Sequence, residues 1–303
     1  MGSYQAAGGT AGPRMTRAVA PPISGSPERV STVTAITPVR NAAALVARTV
    51  SSIVTQSAIR SGRVQLQYLL CDGASTDDTV SVATAAAGDV KLEAVSEPDS
   101  GMYDALAKGL RRAAGDLIFY LNAGDVLFPG ALDVVLDVVE RAHVSWLTGY
   151  GAIVNADGVV VSMSLPFRYR RSLLRTKAYG SILPTLQQES TFWRAEMMAN
   201  VDLDVLASYR LAGDHYLWNI FATVAEPTIV KALLGGFTQH GTHLSDDEAG
   251  YREEVARHAS RIGASRFPLA LIDGVVWRSP DRIKKLLNNA HLVVYDRASA
   301  SWR

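Results

Sequence analysis

The 303-residue sequence has a single cysteine, Cys71. An intrachain disulfide is therefore impossible, and a cysteine-based zinc site is excluded. Cys71 stands in an apolar run and reads as a small buried side chain, in keeping with a reducing compartment. A charge excess of either sign is also lacking: 30 Lys and Arg stand against 29 Asp and Glu, a formal net charge of +1. No global field draws such a chain to nucleic acid, and the aromatic 8% is not interleaved with basic runs, so nucleic acid is not an expected partner. No apolar run approaches the ~18 residues of a spanning helix. The longest late candidate, residues 267–277, is interrupted by Asp273 and Gly274. Residues 1–29 are rich in Gly, Ala, Pro and Ser, carry no apolar centre of signal-peptide type, and read as a flexible tail. Neither a Walker-type nor a GxGxxG loop occurs, which disfavours a P-loop kinase or a dinucleotide enzyme.

What is present is an ordinary globular balance, 48% hydrophobic and 19% charged. Residues 33–37 form a β-branched run that ends at Pro38 and reads as a strand. Asn41 can cap a following helix whose apolar stripe is Leu45, Val46, Val50, Ile53 and Val54. A second apolar run, residues 66–71, stops at Asp72-Gly73. Ser75 or Thr76 can cap the next helix, with Asp77 and Asp78 in its first turn and Gly88 at its end. The pattern repeats as strand 92–95, helix 102–114, strand 117–121 and helix 130–142. Strands alternating with helices predict a mostly parallel sheet in a Rossmann-like α/β layer. The rhythm then changes. Residues 146–154 and 159–164 read as a hairpin around Asp157-Gly158. A basic stretch from Arg168 to Lys177 follows, residues 203–224 have helical pattern, and the last fifty or so residues are mostly helical.

In an open α/β sheet, ligands bind beyond the carboxyl ends of the strands. Those ends carry Thr37-Pro38-Val39-Arg40-Asn41, Asp72-Gly73-Ala74-Ser75-Thr76-Asp77, Ser96-Glu97-Pro98-Asp99-Ser100-Gly101 and Asn122-Ala123-Gly124-Asp125. A carboxylate such as Asp72 can accept from a base N–H or a ribose hydroxyl. Asp125 offers a hard oxygen to Mg²⁺ or Mn²⁺, which would bridge a diphosphate. Each loop has a bland reading too: the glycines as turn residues, Asp77 and Asp78 as helix-start charges. All four bland readings would have to coincide at one sheet edge.

These segments, with Met102-Tyr103-Asp104-Ala105 and Lys108-Gly109, resemble the ordered motifs of family 2 glycosyltransferases of GT-A fold. The resemblance is clear over residues 33–136. It implies inverting hexosyl transfer from a nucleoside-diphosphate sugar, a UDP-sugar being favoured, with a divalent cation (Mg²⁺ or Mn²⁺) as cofactor. It implies nucleotide-sugar contacts from Thr37, Pro38, Arg40, Asn41, Asp72 and Ser75, with Asp72 on the base. Asp99, Gly101, Tyr103, Asp104, Lys108, Asn122, Ala123 and Gly124 then lie near the ribose, diphosphate or donor sugar. Asp125 corresponds to the last acid of the family's metal motif, which is reduced here to Asn122-Ala123-Gly124-Asp125. The implied division is a tail (1–29), a glycosyltransferase domain (30–245, its donor half 30–140 and acceptor half 141–245) and a helical extension (246–303). The acceptor stays open among a glycan, a lipid-linked glycan and a small molecule; the setting expected is cytoplasmic polysaccharide biosynthesis, with peripheral contact at the inner membrane face left open.

On the acceptor side, Ala212-Gly213-Asp214-His215-Tyr216 resembles the family's acidic motif at a helix start. Inverting transfer needs a carboxylate to take the acceptor hydroxyl proton, and Asp214 is assigned that role; its structural alternative is a helix N-terminal charge. Gln188, in the run Gln187-Gln188-Glu189, is a candidate substrate contact. The segment from Gly235 to His243 reads as a flexible Gly-rich loop that closes over the donor, with His243 or His240 reaching the metal or diphosphate. Arg168, Arg170, Arg171, Arg175 and Lys177 offer a site for an anionic acceptor or plain surface charge. Arg278, Arg282, Lys284 and Lys285, beside Val275, Val276, Trp277, Leu286 and Leu287, offer an amphipathic membrane-touching helix or one that packs on the domain. Two other functions stay open: a nucleotide-sugar-binding protein without transfer, and a nucleotidyltransferase, though the latter needs a Gly-rich basic loop that the first strand end lacks.

Overall fold

The β-branched run predicted as the first strand extends over Thr32–Val39 (β1), with Pro38 inside it opposite Cys71 of the next strand. Helices α1 (Ala43–Val54) and α2 (Ser57–Arg60) lead to β2 (Gln65–Asp72). Next come α3 (Thr79–Ala87), β3 (Leu92–Ser96), α4 (Met102–Arg112) and β4 (Leu117–Tyr120). The alternation read from the sequence is present, and Gly88 ends α3 with a φ of 59°. The computed structural model describes residues 29–141, 144–239, 247–288 and 291–303. The expected tail, apart from Arg29, lies outside them, as do His240 and His243.

A short β5 (Val126–Leu127) and α5 (Ala131–Arg141) complete the first half. The predicted hairpin arm 146–154 is two strands, not one. β6 (Trp146–Thr148) joins the main sheet, and only β7 (Gly151–Val154) pairs antiparallel with β8 (Val160–Ser164). Then follow α6 (Arg171–Leu174), a 3₁₀ turn (Gln188–Ser190), β9 (Thr191–Arg194), α7 (Leu203–Ala207), α8 (Gly213–Phe221) and β10 (Thr228–Val230). The Gly-rich loop begins as a strand, β11 (Gly235–Thr238), held between β5 and β7. The C-terminal part has α9 (Glu248–His258), α10 (Phe267–Trp277) and α11 (Asp281–Leu287). Its β12 (Leu292–Val293) adds to the main sheet beside β10, and β13 (Tyr295–Asp296) pairs with β14 (Ser301–Trp302). The extension is thus woven into the domain through β12.

The main sheet runs β12-β10-β6-β9-β4-β1-β2-β3. Its pairs are parallel except where β9 lies antiparallel between β4 and β6. Strand order reverses between β1 and β4, the place where an open sheet leaves a crevice. Both sheet faces are covered, as a parallel sheet requires. Val33 and Ala35 pack with Val46, Val50 and Ile53 on one side. Ile36 packs with Leu69 and Leu106 on the other. On that second face Trp146, Trp193, Trp218 and Phe221 meet with ring centroids 5.5–5.9 Å apart. This aromatic cluster pins α8 beneath β6 and β9, and so fixes where Asp214 stands.

The basic stretch is largely neutralised from within. Arg168 forks onto Glu226 (3.0 and 2.8 Å), Arg170 onto Asp273 (2.6 and 3.0 Å), and Arg171 onto the carbonyl oxygens of Ala222 and Thr223. Three of the five cations proposed for an anionic acceptor are therefore committed to the fold.

Gly235 explains why a glycine pair stands in β11. A Cβ there would lie 1.8 Å from the Glu189 carbonyl oxygen. Gly235→Ala is expected to cost about 1–3 kcal/mol by overpacking. Differential scanning calorimetry should show a melting temperature lower by roughly 3–10 °C.

Candidate active site

Two polar loops at the ends of β1 and β2 hold each other. Asn41, at a φ of 48°, donates its N–H to the Ser75 hydroxyl (2.8 Å), and its side-chain oxygen accepts from Thr76 N–H (2.9 Å). Asp77 accepts from Thr79 N–H (3.1 Å) and from Ala43 N–H (3.2 Å) at the start of α1. The predicted caps are thus corrected: Asn41 does not cap α1, nor Ser75 or Thr76 cap α3. The residues cross-link two loops instead, because each side chain finds its acceptor or donor across the gap.

Asp72, only 2% exposed, accepts from Ser75 N–H (3.0 Å), the Ser75 hydroxyl and the Ser96 hydroxyl (2.5 Å). It therefore ties the second strand end to the third. The third loop is organised likewise. Asp99 accepts from Gly101 N–H (3.0 Å), and Asp104 from Ser100 N–H (2.9 Å). Lys108 donates to the Pro98 carbonyl (2.7 Å) and lies 3.4 Å from Glu97 and 3.8 Å from Asp104. Asp72, Glu97, Asp99, Lys108, Cys71 and Arg112 surround a small cavity of about 90 Å³. Burial pushes the Cys71 thiol up to about 11, so it stays a neutral wall. Thr37 and Pro38 are not at its edge. Thr37 is fully buried with its hydroxyl 3.0 Å from that of Tyr68, and Pro38 is inside the strand. Arg40 is exposed and lines neither this cavity nor the larger one.

The fourth strand end is held by a residue that the sequence did not single out. Thr49, fully buried on α1, donates its hydroxyl to the Asp125 carbonyl (2.7 Å) and accepts from Gly124 N–H (2.8 Å). A threonine inside the apolar stripe of α1 was the available signal. Asp125 itself accepts from Thr238 N–H (2.9 Å). Gln188 bridges the same turn to the sheet. It donates to the Tyr120 carbonyl, and its oxygen accepts from Asn122 Nδ2 at 3.4 Å.

A cavity of about 760 Å³ opens here. Its walls include Tyr103, Asn122, Ala123, Asp125, Gln188, Glu189 and Asp214, with Tyr251 and Trp277 from the C-terminal helices. Three carboxylates share it. Burial, then the charge of Glu189, raises Asp125 well above the usual carboxylate range. Burial, then the charge of Asp214, raises Glu189 to about 7. Burial raises Asp214 to about 6, although the His215 N–H and the Tyr103 hydroxyl counteract it. Tyr103 comes from the donor motif yet touches the acceptor motif. Its ring lies so close to Gly213 that a Cβ there would sit 2.4 Å from Cδ1, and its hydroxyl donates to the Leu211 carbonyl (3.2 Å). Glu189 lies in the run singled out around Gln188 and Trp277 in the late apolar helix, but their meeting in one wall with Tyr251, which the sequence did not single out, depends on segments far apart in the chain.

The wall also suits a cation bound together with a diphosphate. Asn122 Oδ1 is buried without a hydrogen-bond partner, and Asp125 stands in the same wall. Among the described residues no three His, Cys, Asp or Glu side chains converge on a metal-sized site. A divalent ion would thus take its remaining oxygens from donor phosphate and water, as Mg²⁺ commonly does. His243, the other ligand proposed, lies outside the described residues.

An open, mostly parallel sheet, laced loops at its carboxyl edge and a carboxylate-lined cavity agree with the GT-A class of nucleotide-sugar transferases that the motifs resemble. Residues 34–185 match the family described as Glycosyl transferase family 2, and the chain belongs to that family. Two relatives are the uncharacterized glycosyltransferases Rv1514c and MT1564 of Mycobacterium tuberculosis strains H37Rv and CDC 1551. Each is 31% identical over 203 residues, which are 64% of this chain and 70% of theirs. Among solved structures, S. aureus TarS 1-349 in complex with UDP-GlcNAc is similar at a TM-score of 0.56 and 13% identity, over 83% of this chain and 82% of that one. The mannosyltransferase PcManGT of Pyrobaculum calidifontis, in complex with GDP-Man and Mn²⁺, gives 0.52 and 17% over 91% and 83%. The protein is therefore a family 2 glycosyltransferase that uses a nucleotide-sugar donor.

The raised carboxyls make stability depend on pH. Folded protein keeps the Glu189 proton that the unfolded chain releases between 4.5 and about 7, so stability falls as pH rises through that window. Glu189→Gln removes this loss. Its melting temperature should exceed that of the wild type at about pH 8 and match it at about pH 4.

Proposed function

We propose that the chain moves a hexose from a nucleoside-diphosphate sugar, a UDP-sugar being favoured, to a hydroxyl of an acceptor, with inversion at the anomeric carbon. The observation that carries this reading is Asp214: a buried carboxylate at about 6, in the same cavity as Asp125. A base poised near neutral pH is matched to taking a hydroxyl proton. The acceptor oxygen attacks the anomeric carbon while its proton passes to Asp214. The bond from that carbon to the diphosphate breaks, and its electron pair leaves with the diphosphate.

Asn122 and Asp125 would hold a divalent cation against the donor diphosphate; bound there, the cation supplies charge stabilisation for the leaving group. Asp72, Asp99 and Lys108, around the smaller cavity, receive the nucleoside side of the donor. Tyr103 keeps Asp214 in register with the donor loops. Gln188 fixes Asn122 and Glu189 in the wall between them.

Two measurements test this. A thermal-shift screen of nucleoside diphosphates with and without Mn²⁺ should show the greatest stabilisation with UDP plus metal, and Asp125→Ala should lose the metal-dependent part. Donor turnover should rise with pH through about 6 and be lost in Asp214→Asn with UDP binding kept. Full turnover in Asp214→Asn together with its loss in Glu189→Gln would transfer the base role to Glu189. Binding of a UDP-sugar without turnover on any hydroxyl acceptor, or water, would mark a binding protein instead.

A further inference from the structure

Helix α10 turns Ala270, Asp273, Gly274 and Trp277 inward, at helical spacing. Asp273 is fully buried and forks with Arg170; the Trp277 ring meets that of Tyr169 edge-on at 5.2 Å and lines the large cavity. The opposite face is apolar as well. Phe267, Leu271, Ile272 and Val275 are exposed, Val275 at 71%. A helix apolar on both faces is expected in a core or against lipid rather than at a water-facing surface.

Helix α11 is turned inside out. Its buried side chain is Lys284, which donates to the Leu165 carbonyl (2.8 Å), and Asn288 after it donates to the Phe167 carbonyl. Ile283, Leu286 and Leu287 face outward, Leu286 at 79% exposure. Polar groups inside and leucines outside make physical sense where the outside is not water.

Around these two helices Arg261, Arg266, Arg278, Arg282 and Lys285 are exposed, and none forms an ion pair among the described residues. Of the two carboxylates in the segment, Asp273 is buried against Arg170, and Asp281 lies 3.8 Å from Lys284. In a chain of net charge +1 this is a marked local excess.

We propose that the outward faces of α10 and α11 dock the protein on an anionic lipid surface, the apolar side chains entering the acyl boundary and the five cations meeting headgroups. A second copy of the chain fits less well, because a two-fold contact would bring each set of cations against the other. No helix of the described residues is long and apolar enough to cross a membrane, so these two lie along its surface. Docking does not depend on the transferase reading.

The test uses the full chain with phosphatidylcholine vesicles, with or without phosphatidylglycerol, at increasing NaCl. The chain should co-sediment with phosphatidylglycerol vesicles and be released by salt. Arg282→Ala with Lys285→Ala should weaken binding about fivefold per cation, and Leu271→Glu with Leu286→Glu should abolish it. All four positions are exposed, so melting temperature and UDP-induced thermal shift should be unchanged in both variants. No binding to phosphatidylglycerol vesicles, or undiminished binding in the Leu271→Glu/Leu286→Glu variant, overturns the proposal. So does a wild-type dimer that this variant makes monomeric in sedimentation equilibrium, which would assign the face to a second copy. Loss of UDP response with vesicle docking intact would sink the donor reading alone.

Discussion

Three carboxylates buried in one cavity set the terms for the rest of this structure. Asp125, Glu189 and Asp214 each pay a desolvation cost when ionised, and repulsion between neighbours adds to it. A bound cation and diphosphate would change which carboxylates ionise. The scaffold that forces the three together is long-range: β9 is antiparallel between β4 and β6, so the Gln188–Ser190 turn sits against the turn that carries Asn122 and Asp125. Thr49 and Thr238 fix that turn from two further elements.

The two halves of the domain meet through Tyr103. Its helix begins at the third strand end, and its ring lies against Gly213 at the start of the helix that carries Asp214. The end of β3 and the start of α8 are thus joined by a packed ring rather than through solvent. The loops themselves resist shifting, because Asn41, Asp72, Asp77 and Asp104 accept or donate within and across them. Of these four, Asp72 both laces the loops and lines the smaller cavity.

The C-terminal helices carry the cavity outward. Tyr251 and Trp277 line it, while α10 and α11 also expose a hydrophobic, cationic face. The cavity and that face share helix α10, which contributes Trp277 to the one and Leu271, Ile272 and Val275 to the other.

Sequence by itself determined the alternation of strands and helices through α5, the polar strand ends, the turn at Gly158 and the family. These are local signals: periodicity, glycine at a positive φ, and short ordered motifs. Tertiary structure alone decided what those residues touch. Thr49 became a site residue through the turn at Gly124 and Asp125, more than seventy positions away, and Glu189 through the charges of Asp125 and Asp214. Gly235, read as part of a loop, became strand because β5 and β7 flank it. Arg168 and Arg170 lost their apparent freedom to Glu226 and Asp273. Lys284 and Leu286 exchanged the burial that their side chains suggest. The physical reason is the same in each case: burial and charge pairing are set by neighbours in space, and a sequence displays only neighbours along the chain.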